Sequence, residues 1–86
     1  MPCVSRFFGI AIYFYFNEHA PPHFHALFGD DEAIYEIRTL RVYAGSLPRR
    51  AHNMVLEWAD QHREELMNCW NVSRDGGAPN QIEPLR

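Results

Sequence analysis

GIAIYFYFNEHAPPHFHALF, residues 9 to 28, is the stretch on which the fold turns. Ile10, Ile12, Phe14 and Phe16 alternate with Ala11, Tyr13 and Tyr15, a period of two in β-branched and aromatic residues that predicts the first clear strand. HFHALF, residues 23 to 28, alternates again, with Phe24, Ala26 and Phe28 opposed to His23, His25 and Leu27. Between them stands EHAPP, in which Pro21 and Pro22 lack amide donors and hold φ fixed, so the ladder opens there into a stiff connection. GDDE then makes an acidic, glycine-led turn into the strand AIYEI, residues 33 to 37. A fourth short strand, about 41 to 44, follows a tight turn near Arg38 and Thr39.

The periodicity changes at GSLPRRAHNMVLEWADQHREELMNCW. Leu47, Ala51, Val55, Trp58, Ala59, His62, Leu66, Cys69 and Trp70 recur at steps of three and four, which predicts one long amphipathic helix with Ser46 as its N-cap and Pro48 in its first turn. Arg49, Arg50, Glu57, Asp60, Glu64 and Glu65 make a solvated outer face. Gly76 and Gly77 suit its C-terminal end, and the tail QIEPL is read as a short C-terminal edge strand. The expectation is a single domain over residues 1–86 of the α+β class, with an antiparallel sheet of about four strands packed on one helix.

At 86 residues, such a domain buries only about 60–65 % of the surface its unfolded chain exposes. Function is therefore expected on a surface, a sheet face or an interface rather than in a deep cavity. The net charge is −3, and all eight basic residues are arginine, which disfavours a protein that lives by wrapping nucleic-acid backbone. Cys3 and Cys69 lie far apart, with no CxxC or Cys/His zinc spacing. With neither a signal peptide nor a membrane-length apolar run in the sequence, a reducing cytoplasm is the expected compartment.

Pairing Phe14 with Phe24 sets Tyr13 opposite His25 and Tyr15 opposite His23, because side chains on one sheet face pair with one another. A four-residue loop over Gly29 to Glu32 then sets Phe28 opposite Ala33, His25 opposite Glu36 and His23 opposite Arg38. With a two-residue third turn Arg41 joins Glu36; a bulged three-residue turn moves it away. The face with Ile10, Ile12, Phe14, Phe16, Phe24, Ala26, Phe28, Tyr35, Ile37 and Val42 takes the helix, and the face with tyrosine, histidine, glutamate and arginine is left to solvent.

Three uses of that polar face compete. His25, His23, Glu36 and Arg41 suit an acid–base site in which a carboxylate orients a histidine and arginine stabilises a phosphorane-like charge, as metal-independent RNA cleavage requires. His19, His23 and His25 suit a divalent metal such as zinc, since imidazoles two apart on a strand share a face and the loop can fold the third toward them. Tyr13, Tyr15, Arg38 and Tyr43 suit a docking surface for a protein partner or for a second copy in a homodimer. Trp58 and Trp70 are expected in the core, His62 as a satisfied interior histidine, and both cysteines as ordinary thiols.

MPCVSRFFGI, YFNEHAPPHFHA, EAI, GSLPRRA, LEWADQHREEL and IEPL together resemble the bacterial family called domain of unknown function 4160, over nearly the whole chain. The resemblance implies no particular chemistry. It implies one component of a small two-gene module of toxin–antitoxin type, whose partner often belongs to domain of unknown function 2442. Relatives often carry lysine where this chain has Leu27 and in the segment APNQ, which weakens any expectation of phosphate binding.

Overall fold

The computed structural model describes residues 2–86. Five strands, β1 (Cys3–Phe7), β2 (Ile10–Tyr13), β3 (His23–Phe28), β4 (Asp31–Glu36) and β5 (Val42–Gly45), form an antiparallel meander in chain order. Helices α1 (Arg49–Gln61) and α2 (Arg63–Arg74) complete the domain. The α+β class is as expected, with five strands rather than about four.

The additional strand is β1. A register shift between Cys3 and Ser5 breaks its alternation, so Val4 and Ser5 are both buried and the sequence loses its period of two. Phe8 and Gly9 then form a two-residue turn with φ of 48° and 81°, the doubly left-handed geometry usually filled by asparagine and glycine. A phenylalanine there carries a steric cost of about 1 kcal/mol.

The pairing of β2 with β3 is the expected one: Tyr13 lies opposite His25, Ile12 opposite Ala26 and Ile10 opposite Phe28. The pairing of β3 with β4 is shifted by two. Gly29 takes φ 60° and the loop has two residues rather than four, so Phe28 faces Asp31, His25 faces Ile34 and His23 faces Glu36. A shift of two preserves which residues share a face, and the two-sided partition of the sheet therefore survives.

The expected row of Tyr13, His25, Glu36 and Arg41 becomes Tyr13, His25, Ile34 and Ala44. Glu36 and Arg41 do meet through the backbone, the Glu36 N–H donating to the Arg41 carbonyl at 2.9 Å, but in the row of His23. A bulge between Val42 and Ala44 leaves Tyr43 as the extra residue of β5.

The predicted long helix is two helices, broken at His62 (φ −130°, ψ 29°). An unbroken helix from Arg49 to Arg74 would run about 39 Å at 1.5 Å per residue. The longest dimension of the Cα trace is 32 Å. The break keeps both apolar stripes against the sheet, burying Ala51, Val55, Trp58 and Ala59 from α1 and Leu66, Cys69 and Trp70 from α2. His62 is half-buried at the break, with Nδ1 2.6 Å from Glu65 Oε1. Pro48, not Ser46, occupies the N-cap position of α1; the Ser46 N–H instead donates to the Glu32 carbonyl and extends the sheet.

Between sheet and helices lies one core of Val4, Ile10, Ile12, Phe14, Phe24, Tyr35, Trp58, Leu66 and their neighbours. Phe16 and Val42, expected within it, are exposed, because β2 ends at Tyr13 and β5 is an edge strand. The tail forms no strand. A single backbone bond, Ile82 N–H to the Val4 carbonyl at 2.8 Å, ties it beside β1, and the Trp58 indole N–H donates to the Glu83 carbonyl at 2.7 Å. Among the described residues no helix is long and apolar enough to cross a membrane.

Candidate metal centre

His23 and His25 point from β3 to the face opposite Phe24 and Ala26, the face that an antiparallel sheet normally turns to water. Here both rings are buried, at 5 % and 6 % exposure. The Tyr15 ring lies 4.1 Å from that of His25, while Trp70 and Tyr43 lie 5.0 Å and 6.0 Å from that of His23. Aromatic walls thus exclude solvent from two groups that need hydrogen-bond partners.

Their partners are specific. His23 Nδ1–H donates to the Pro21 carbonyl at 2.7 Å, and His25 Nδ1–H donates to Glu32 Oε2 at 2.9 Å. With Nδ1 so engaged, each ring, when neutral, presents its Nε2 lone pair outward. Both lone pairs face one carboxylate: Glu18 Oε1 is 3.0 Å from His25 Nε2, and Glu18 Oε2 is 3.6 Å from His23 Nε2. Acceptors brought this close are stable only with positive charge between them, supplied by a proton or by a metal ion.

One ligand atom from each of Glu18, His23 and His25 lies within 4.8 Å of the others. Imidazole–metal bonds of about 2.0–2.1 Å and carboxylate bonds of about 2.0–2.2 Å need only a modest closure of this triangle. Glu18 is the accessible member, its side chain 27 % exposed, and gives the site its opening. Two nitrogens and one oxygen suit zinc or another late first-row divalent ion, whereas calcium and magnesium prefer oxygen alone.

Glu18 is held by the loop after β2. Asn17 takes φ 57° and its N–H approaches the Ser73 carbonyl at 3.4 Å, pinning the loop to the end of α2. On the other side Pro22 accepts from the Ile37 N–H at 3.0 Å. The proline-rich segment is thereby tied to α2 at one end and to the residue after β4 at the other, and the stiffness expected of it becomes a means of aiming one carboxylate.

Of the residues expected to carry a site, only His23 and His25 belong to this cluster. His19 is exposed and stands outside the cluster, and Glu18 takes its place. Glu36 lies opposite His23 with no hydrogen bond to either ring, and Arg41 is exposed. Arg38 is exposed in the third turn, where its carbonyl accepts from Arg63 at 2.9 Å. Tyr13 is half-buried and accepts a hydrogen bond from Arg6, while Tyr43 is exposed beside His23. The Tyr15 hydroxyl is pushed above its usual pKa, by burial first and then by the negative charge of Glu32, Glu18 and Tyr13.

Glu32 was missed, yet its signal lay in the turn. A two-residue loop at Gly29 sets Glu32 opposite Leu27 and therefore diagonal to His25 on the same face. Glu18 had no comparable signal, because no periodicity governs the loop that carries it.

The family model named domain of unknown function (DUF4160) matches residues 9–71. The chain belongs to this family. The matched span contains Glu18, His23, His25 and Glu32, and leaves out β1 and the tail. Neither the curated proteins nor the solved structures include a match to the chain.

Proposed function

We propose that this DUF4160 protein binds one late first-row divalent metal ion, with zinc the reference case, through Glu18, His23 and His25. The convergence of both Nε2 atoms on Glu18 supports this reading, and the Nδ1 partners on the far side of each ring strengthen it. Metal-binding histidines almost always donate their second ring N–H to a carboxylate or a carbonyl, which fixes the ring and raises its basicity. Glu32 and Pro21 supply those two acceptors here. Three protein ligands leave a fourth position on a tetrahedral ion.

Titration of the metal-free protein with zinc, followed by calorimetry and thermal melting, tests the reading. One ion should bind per chain, and free zinc at a hundred times its Kd should stabilise the fold by about 2.7 kcal/mol. A His23→Ala, His25→Ala variant should lose both effects. Unchanged melting of the parent with zinc in excess refutes it.

We also infer a protein partner, as one component of a cytoplasmic two-gene module of toxin–antitoxin type. Exposed Tyr43 stacks beside His23, a pairing of an aromatic ring with a polar group that interfaces favour. Both cysteines are free, which suits a reducing compartment. Co-purification with the product of a neighbouring gene, and its effect on growth when each is expressed alone, tests partner and role together.

A further inference from the structure

The Phe28 end of β3, opposite the end that carries His23, bears an aromatic knob beside a hole. Phe8 is 61 % exposed although its backbone sits in the left-handed region, so the strain of placing a phenylalanine there is not repaid by burial within the chain. Beside it a groove of about 630 Å³ opens between the β1–β2 turn and the start of α1, lined by Phe8, Phe28, Pro48, Arg50, Ala51 and Met54. The groove is apolar apart from Arg50 and wide enough to accept an aromatic ring.

Charge is divided across the same end. Arg49 and Arg50 occupy the first turn of α1, which holds no acidic residue. Asp30 lies on the turn that follows Phe28, and Asp31, the first residue of β4, is the cross-strand partner of Phe28. All four are exposed, and among the described residues none forms an ion pair within the chain.

We propose that this face joins two copies of the chain in a two-fold dimer, with Phe8 of each copy seated in the groove of the other and Arg49 and Arg50 facing Asp30 and Asp31 across the contact. A two-fold interface uses the same patch on both subunits, so knob and hole, and base and acid, must all be present on one face. This end of the molecule carries all four. An unrelated partner would need only one half of each pair, and the other half would then be left without a role. The proposal does not depend on the metal centre, whose ligands lie elsewhere on β3 and its preceding loop.

Sedimentation equilibrium on the full chain, in chelator so that metal plays no part, provides the test. The parent protein should dimerise at micromolar concentration. Phe8→Asn suits the left-handed turn better than phenylalanine does, so it should leave the melting temperature of the monomer unchanged or raised while weakening the dimer about tenfold or more. Arg49→Glu with Arg50→Glu should weaken the dimer too, and adding Asp30→Arg with Asp31→Arg should restore it to within a few-fold of the parent. A parent that stays monomeric at hundreds of micromolar overturns the proposal. So does a Phe8→Asn protein that dimerises like the parent, or a fourfold charge reversal that fails to restore what the double reversal removed.

Discussion

Glu18 and His25 face each other across 3.0 Å, carboxylate oxygen to ring nitrogen, while the second nitrogen of the same ring is held by Glu32 at 2.9 Å. A buried imidazole between two carboxylates is an uncommon use of a sheet face. The arrangement ties the loop after β2, the middle of β3 and the start of β4 into one unit, and Glu18 is the member that also reaches His23.

Glu18 and its neighbour His19 separate two versions of the proposed metal site. Glu18→Gln should weaken zinc binding by about tenfold or more, since a neutral amide oxygen is a far poorer ligand than a carboxylate. His19→Gln should leave affinity within about twofold, because that side chain is exposed and outside the cluster. Competition against a fluorescent chelator measures both, and the reverse ranking would restore His19 as the third ligand.

Glu32 touches no ion in this scheme; it orients His25. Glu32→Gln retains an acceptor for the Nδ1–H and removes the charge, so metal affinity should fall by about 10–100-fold. Melting of the metal-free protein should change little, because the Glu32 side chain is about half exposed. A loss of stability without a loss of affinity would reduce Glu32 to a structural partner.

Tyr35 links β4 to α1, its hydroxyl 2.7 Å from His52 Nδ1. Burial pushes its pKa from 10.0 up to about 12. Because the folded state holds this proton more tightly than the unfolded one, the contribution to stability is complete below pH 10 and is lost as pH rises from 10 through about 12. Urea unfolding at stepped alkaline pH should show that decline. Tyr35→Phe should flatten it while costing about 1 kcal/mol near neutrality for the lost hydrogen bond.

Cys69 should be the slower of the two thiols. Burial first, and the charge of Glu65 second, push its pKa from 9.0 to about 11, which cuts its thiolate fraction near neutral pH about a hundredfold. Cys3 is half-buried on the edge strand. Brief alkylation of the native protein, read by mass spectrometry, should modify Cys3 first; equal rates would show that the α2 packing opens readily.

Much of this was legible along the chain. Alternation in residues 10–16 and 23–28 marked the strands and assigned His23 and His25 to a common face, and that assignment survived an error of two in the β3–β4 register. Trp58 and Trp70 were read as core residues from their helical spacing, and both are buried. Reading stopped where periodicity stopped. The bulge at Val4 concealed β1, and the loop from Phe14 to Pro22 offered Glu18 and His19 as adjacent residues with nothing to choose between them.

What the sequence by itself determined is which residues of β2, β3 and β4 share a sheet face, because the strand period is local and each residue's face follows from its neighbours. Tertiary structure alone decided the distances. The two-residue turn at Gly29 brought Glu32 to His25, the helix broke at His62 as α2 packed beside β3, and the loop that meets α2 at Asn17 placed Glu18 rather than His19 beside the two imidazoles. Each of these depends on turn length or on packing between elements remote in sequence, and such constraints leave no repeating pattern in the chain.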